Sequence, residues 1–224
     1  MSTQIEPAHL KQQIVDAARA LFTAGVMQPA GHANLSCRLS GDRMVLTGTG
    51  QARGLTVEQL ALVDFNGHVL DGRLDPGSAE IVAMHAGVYR TRSEAGAIIH
   101  THSPHATAFA LANEPLPCAY EALLRFGLTE PVPVAGWAPR GSHESVSNII
   151  ECLVRSPTTP AVLLGNHGLL AWARDPIEAA RLVVILEETA QMTLDARQLG
   201  GETPFPADAL ERERTRMAQF ASAR

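Results

Sequence analysis

Between Ala61 and Gly72 the chain reads as two short strands, Leu62-Val63-Asp64-Phe65 and His68-Val69-Leu70-Asp71, joined by Asn66-Gly67. An Asn-Gly pair in that setting predicts a two-residue type I′ turn, because both residues tolerate the positive φ angles it demands. A tight hairpin pairs its strands antiparallel, so the sheet is not purely parallel. Helical segments alternate irregularly with the strands. Residues 7–24 place Leu10, Ile14, Ala17, Ala18, Leu21 and Phe22 at helical spacing, with Gly25 as C-cap. A Gly-containing loop, Pro29 to Leu39, runs into a strand, and Arg43 to Gly50 is another. Residues 78–90 read as a helix with Ser78 as N-cap and Glu80 in the first turn. A strand over 95–102 follows, and Ser103-Pro104 opens a further helix. Residues 113–145 are rich in Pro and Gly, with one strand expected at Pro131–Val134, and Glu144–Arg155 is helical. Ala161–Asn166 reads as a buried strand that Leu169–Ala173 continues past a glycine. Asp175-Pro176-Ile177-Glu178 is a capping box opening a helix to Leu199, and residues 207–224 form a charged helix or tail. The pattern is α/β, a mixed sheet flanked by helices.

A chain of 224 residues, 46% hydrophobic and 18% charged, fits a single packed domain, 1–224, and excludes a disordered one. No apolar run approaches the roughly 18 residues needed to cross a bilayer. The start, MSTQIEPAHLKQQ, lacks the basic and apolar regions of a signal peptide, so a cytoplasmic location is expected. A net charge of −5 with no basic stripe gives nucleic acid or an acidic membrane nothing to hold. Cys37, Cys118 and Cys152, widely spaced and odd in number, read as reduced thiols. Lys11 is the one lysine among 18 basic residues and lies on a solvated helix face, which argues against imine chemistry. The nine histidines, several clustered, point instead to metal.

His100-Thr101-His102 closes the apolar strand Ala97-Ile98-Ile99. Side chains two apart on a strand share a face, roughly 7 Å apart. Such a pair can converge on one cation or can be two ordinary hydrogen-bonded histidines, and the spacing alone does not decide. His167, in Leu163-Leu164-Gly165-Asn166-His167-Gly168, sits where a buried strand breaks, as a third ligand or as a turn histidine. Three imidazoles leave a divalent ion an open position, the arrangement of catalytic sites. Glu80 is either a helix-terminal acid favoured by the macrodipole or a carboxylate beside the metal.

The segments Pro76-Gly77-Ser78-Ala79-Glu80, AIIHTHSPHATAFA and LLGNHGLLAW resemble the class II aldolase and adducin-head superfamily, which includes L-fuculose-1-phosphate aldolase and the ribulose-phosphate 4-epimerases. The resemblance runs from the GHANLS loop to the helix after Asp175. It implies a three-layer α/β/α sandwich with a mostly antiparallel central sheet, and a homotetramer with interfacial active sites. It implies that His100, His102 and His167 bind Zn²⁺, with Mn²⁺, Fe²⁺ or Co²⁺ as alternatives. Glu80 would ligate the resting metal and then act as general acid/base. The implied reaction is cleavage of a carbon–carbon bond in a small hydroxy-carbonyl compound through a metal-stabilised enediolate. Asn34, Thr47, Gly48 and Ser78 match substrate-binding positions of the family.

Gly31, Ala33 and Ala79 depart from that pattern. Two hydroxyl donors are thereby missing, and no lysine or arginine is seen to replace them, so an unphosphorylated substrate is expected. Trp137 stands where a family tyrosine donates a proton from a neighbouring subunit; either that role is lost, or Tyr120 or His143 takes it over, or Trp137 lines a pocket suited to an aromatic or apolar substrate. The rival readings are a decarboxylase of a hydroxy-aromatic or keto acid, a sugar-phosphate dehydratase, and a non-catalytic binding module like the adducin head. His85 reads as a hydrogen-bonded core residue, His105 as support behind the ligands and His32 as a substrate-loop residue. Asp64, Glu187 and Glu188 read as solvated or capping charges.

Overall fold

In the computed structural model, which describes residues 7–222, eight strands form one sheet. The strands are β1 (Ala33–Leu39), β2 (Arg43–Thr47), β3 (Leu60–Asp64), β4 (Val69–Asp71), β5 (Ala97–Thr101), β6 (Val134–Ala135), β7 (Ala161–Leu164) and β8 (Gly168–Ala173). The helices are α1 (Pro7–Thr23), α2 (Pro76–Thr91), α3 (Pro104–Ala112), α4 (His143–Arg155), α5 (Pro176–Gln198) and α6 (Ala209–Ser222). Residues 1–6, the beginning of the segment read above as leaderless, and 223–224, the end of the expected C-terminal tail, lie outside the described residues.

Strand order is β4-β3-β2-β1-β5-β8-β7-β6, and every neighbouring pair is antiparallel except β6 with β7. One face packs against α1, α3 and α5 through Ile14, Leu21, Leu35, Ile99, Phe109 and Leu186. The other packs against α2 and α4 through Met44, Leu46, Val88, Ile98, Ile149 and Leu170. These are the three layers that the resemblance implied. Ile98 and Ile99 face opposite layers, and burial on both sides explains why this central strand is apolar without alternation.

The structure corrects several local expectations. Asn66-Gly67 is not a type I′ turn: Gly67 has φ +94°, but Asn66 is not among the residues with positive φ. The Asp64 carboxylate accepts the Asn66 and His68 N–H groups, and Gly67 N–H bonds back to Asp64 O. That aspartate-led turn spans three residues and needs positive φ at Gly67 only. Ser78 is not an N-cap, because α2 starts earlier at Asp75-Pro76, with Pro at N1; Glu80 therefore stands past the first turn. Leu169–Ala173 does not prolong the preceding strand. Gly165-Asn166-His167 reverses the chain, with Asn166 at φ +56°, and Leu164 then pairs with Gly168. Residues 113–145 hold a 3-10 turn at Glu121–Phe126, and their strand is Val134–Ala135, later than expected. Asp175 caps α5 through Glu178 N–H, but the Glu178 carboxylate returns to Arg174 N–H, so the box does not close on Asp175 itself.

Candidate metal centre

The register of the central strands assembles the histidines. In β5, His100 lies between Asn34 of β1 and Leu170 of β8. His102 follows one residue after the strand, on the same face. His167 is the last residue of the β7–β8 turn, whose Asn166 N–H is tied to Ala110 O of α3. Ring centroids of the three histidines lie 4.6–5.0 Å apart, and one nitrogen from each falls within 4.8 Å of the others. His100 Nε2 and His102 Nε2 are 3.2 Å apart. Ligands on a tetrahedral ion with Zn–N bonds of ~2.0–2.1 Å lie about 3.3 Å from each other, so this pair fits one ion.

His100 Nδ1 is 2.9 Å from Leu169 O. A carbonyl only accepts, so Nδ1 carries the proton and Nε2 presents its lone pair, as a ligand must. Burial, reinforced by the neighbouring His167 and His102, pushes His100 well below the usual histidine range. Burial, with His167, His32 and Arg140 nearby, lowers His102 to about 4. Burial and the charge of Arg140 lower His167. The rings are therefore neutral near pH 7, the form that binds metal. Gly168 makes room for them: a Cβ there would lie 2.4 Å from Thr101 O, 2.9 Å from His102 Cδ2 and 3.3 Å from His100 Cε1.

The triad opens into a cavity of about 240 Å³ whose wall includes His32, Asn34, Ser78, Glu80, Arg140 and Gly141. Glu80 is about half-exposed and is not among the converging ligand atoms; its Oε2 accepts from Arg140 Nε at 3.1 Å. Arg140 Nη2 also donates to Gly77 O at 2.6 Å. Gly141, at φ +76°, lies against Glu80; a Cβ there would be 2.9 Å from Glu80 Cβ. Arg140, which the sequence reading did not single out, thus lines the site beside Glu80. Arg140 comes from an irregular loop whose course follows from packing, and its signal in the sequence is only its place before the Gly-Ser cap of α4.

Asn34 is held by a relay through the core. Its Oδ1 accepts from His85 Nε2 at 2.6 Å, so His85 Nδ1 accepts from Ser36 Oγ, also at 2.6 Å. Tyr89 O–H lies 2.8 Å from the same Ser36 oxygen. Burial lowers His85 to about 3, consistent with the neutral ring this relay needs. Thr47 is fully buried and its Oγ1 accepts from Leu35 N–H, while Gly48 N–H bonds to Gln59 O. Among the described residues these two do not line the cavity, whereas Asn34 and Ser78 do.

Glu187 is buried, not solvated. It accepts from the His105 and Ala106 N–H groups and lies 2.8 Å from His105 Nδ1, capping the helix that follows the two strand histidines. The Ser103 hydroxyl is engaged with Thr101 instead, which leaves that cap to α5. Val183 and Ala190, flanking Glu187 at helical spacing, are the sequence signal that it faces inward. A second cavity, about 270 Å³, adjoins the first; it shares Arg140, Ser145, Leu164 and His167 with it and adds Trp137, which is 63% exposed.

A mixed sheet with a histidine triad at its centre and a carboxylate on the cavity wall defines a metal-site α/β fold. The chain belongs to the family described as Class II Aldolase and Adducin N-terminal domain, which matches residues 12–194. It is 33% identical to a 3-oxo-tetronate 4-phosphate decarboxylase of Haemophilus influenzae, over 81% of this chain and 85% of that one. It is 30% identical to an L-fuculose phosphate aldolase of the same organism, over 88% of each. A solved L-fuculose 1-phosphate aldolase superposes with a TM-score of 0.82 at 26% identity, covering 97% of this chain and all of the other. No described helix is long and apolar enough to cross a membrane.

Proposed function

We propose that the chain is a single class II aldolase-like domain acting as a metal-dependent carbon–carbon lyase on a small hydroxy-carbonyl compound. The observation that carries this reading is the convergence of three neutral imidazoles beside Glu80 in one cavity. A divalent cation held by His100, His102 and His167, Zn²⁺ by preference or Mn²⁺, Fe²⁺ or Co²⁺, supplies a Lewis acid for charge developing on the substrate's oxygens. Glu80 moves the proton at the reacting carbon or its oxygen, and its half-exposed position leaves it room to turn toward substrate. The relay from Tyr89 to His85 holds the Asn34 oxygen, leaving the amide NH₂ to orient substrate. Ser78, on the same wall, offers a hydroxyl.

The exposed Trp137, on a cavity sharing His167, favours one second reading: decarboxylation of a hydroxy-aromatic or keto acid at the same centre. The relative named as a decarboxylase supports it too. A homotetramer with interfacial sites agrees with an exposed tryptophan beside the cleft, and light scattering measures it. A cytoplasmic location agrees with the free, largely buried cysteines.

The test is a screen of metal-loaded protein against free and phosphorylated ketoses and hydroxy-aromatic acids. Ketose cleavage, lost in His102→Ala together with the metal, supports the lyase. Release of CO₂ from an acid without ketose cleavage selects the decarboxylase. A protein that takes up no metal and turns over nothing returns the reading to a binding module.

A further inference from the structure

Arg140 and Glu80 are the charged side chains among the described residues lining the triad cavity, and Arg140 alone is charged on the adjoining cavity. Their contact is single and side-on: one guanidinium N–H, on Nε, meets one carboxylate oxygen. A second N–H, on Nη2, meets Gly77 O. A guanidinium has five donors, and among the described residues Nη1 has no partner. The edge it would use to grip an oxyanion with two parallel hydrogen bonds is therefore only partly engaged. Both members of the pair are half-exposed, and such a pair contributes little stability, so exchanging it for another anion costs little. His167 borders both cavities alongside Arg140, so an anion held by Arg140 stays within one small molecule's reach of the triad.

We propose that Arg140 is a specificity-determining residue that binds an oxyanion, carboxylate or phosphate, carried by the hydroxy-carbonyl substrate. This rests on the reading of the cavity as the lyase site. A phosphate there would replace the expectation of an unphosphorylated substrate, and a carboxylate would keep it. Substrate displaces the Glu80 carboxylate from Arg140, so anion binding and the freeing of Glu80 occur together.

The test is calorimetric titration of metal-loaded protein with three probes that share a hydroxy-ketone: dihydroxyacetone, dihydroxyacetone phosphate and hydroxypyruvate. The wild type is expected to prefer one anionic probe over dihydroxyacetone. Which one it prefers identifies phosphate or carboxylate. In Arg140→Gln that preference falls about tenfold or more, the scale of a lost charge-assisted hydrogen bond, and Arg140→Lys restores part of it. A wild type without preference, or an unchanged preference in Arg140→Gln, overturns the proposal. Metal content is measured on the same samples. Protein that takes up no metal sinks the lyase reading, and Arg140 is then tested with inorganic phosphate alone. Weaker phosphate binding in Arg140→Gln supports the anion site; equal binding or none in the wild type overturns it.

Discussion

The two sides of the cavity are built differently. The histidine side is fixed by the sheet: His100 sits in a central strand with its Nδ1 tied to Leu169 O, and only a residue without a Cβ fits at Gly168 beside the rings. Behind it, buried His85 links Asn34 and Ser36. The opposing lip is the amino-terminal part of α2 and the loop before α4, where Glu80 and Arg140 hold each other half in solvent. A cation needs ligands already in place, because reorganising a buried wall is costly. A group that must give and take protons needs freedom to move. The contrast assigns binding to the sheet and turnover to the lip.

Glu80→Gln tests this division most strongly. Turnover should fall by about 10²–10⁴ with metal content unchanged. Loss of metal in that variant would place the carboxylate on the fixed side.

Acid should break the fixed wall first. His85 has a folded pKa of about 3 against an ordinary 6.5, so between those values the unfolded chain binds a proton that the folded chain refuses. This stability is fully present above pH 6.5 and is lost as pH falls toward 3. Melting temperature measured against pH should decline through that window; a flat profile would contradict the buried neutral ring.

Gly168→Ala puts a methyl group against Thr101 O and the rings. It should cost about 1–3 kcal/mol in urea denaturation and weaken metal uptake. Gly141→Ala, at positive φ on the lip, should cost about 1 kcal/mol and slow turnover while sparing metal uptake. If the two variants have the same effect on metal, the distinction between wall and lip fails.

The metal side was the legible part of the sequence. Period-two geometry places His100 and His102 on one face from their spacing alone, and Asn166 at the break in an apolar run marks the turn that delivers His167. That turn was nonetheless misread as a pause within one strand, because a buried hairpin and a long buried strand are equally apolar. The lip was not legible. Arg140 reaches Glu80 across 60 residues of chain, and no local periodicity encodes that meeting. Glu187 was half legible: of the two readings, solvated or capping, the structure takes the capping one, but the helix it caps, α3, lies 81 and 82 residues away and could not be named from the sequence.

The most direct measurement is metal stoichiometry and affinity in the wild type and in His167→Ala, by equilibrium dialysis with elemental analysis. His167 comes from a segment remote from His100 and His102, so it reports whether the fold gathers one site. One ion per chain, bound about a hundredfold or more weaker after the substitution, is the predicted result, beyond the 10–100-fold typical of losing a partner outside the ligand set. Full stoichiometry at unchanged affinity would contradict the shared centre.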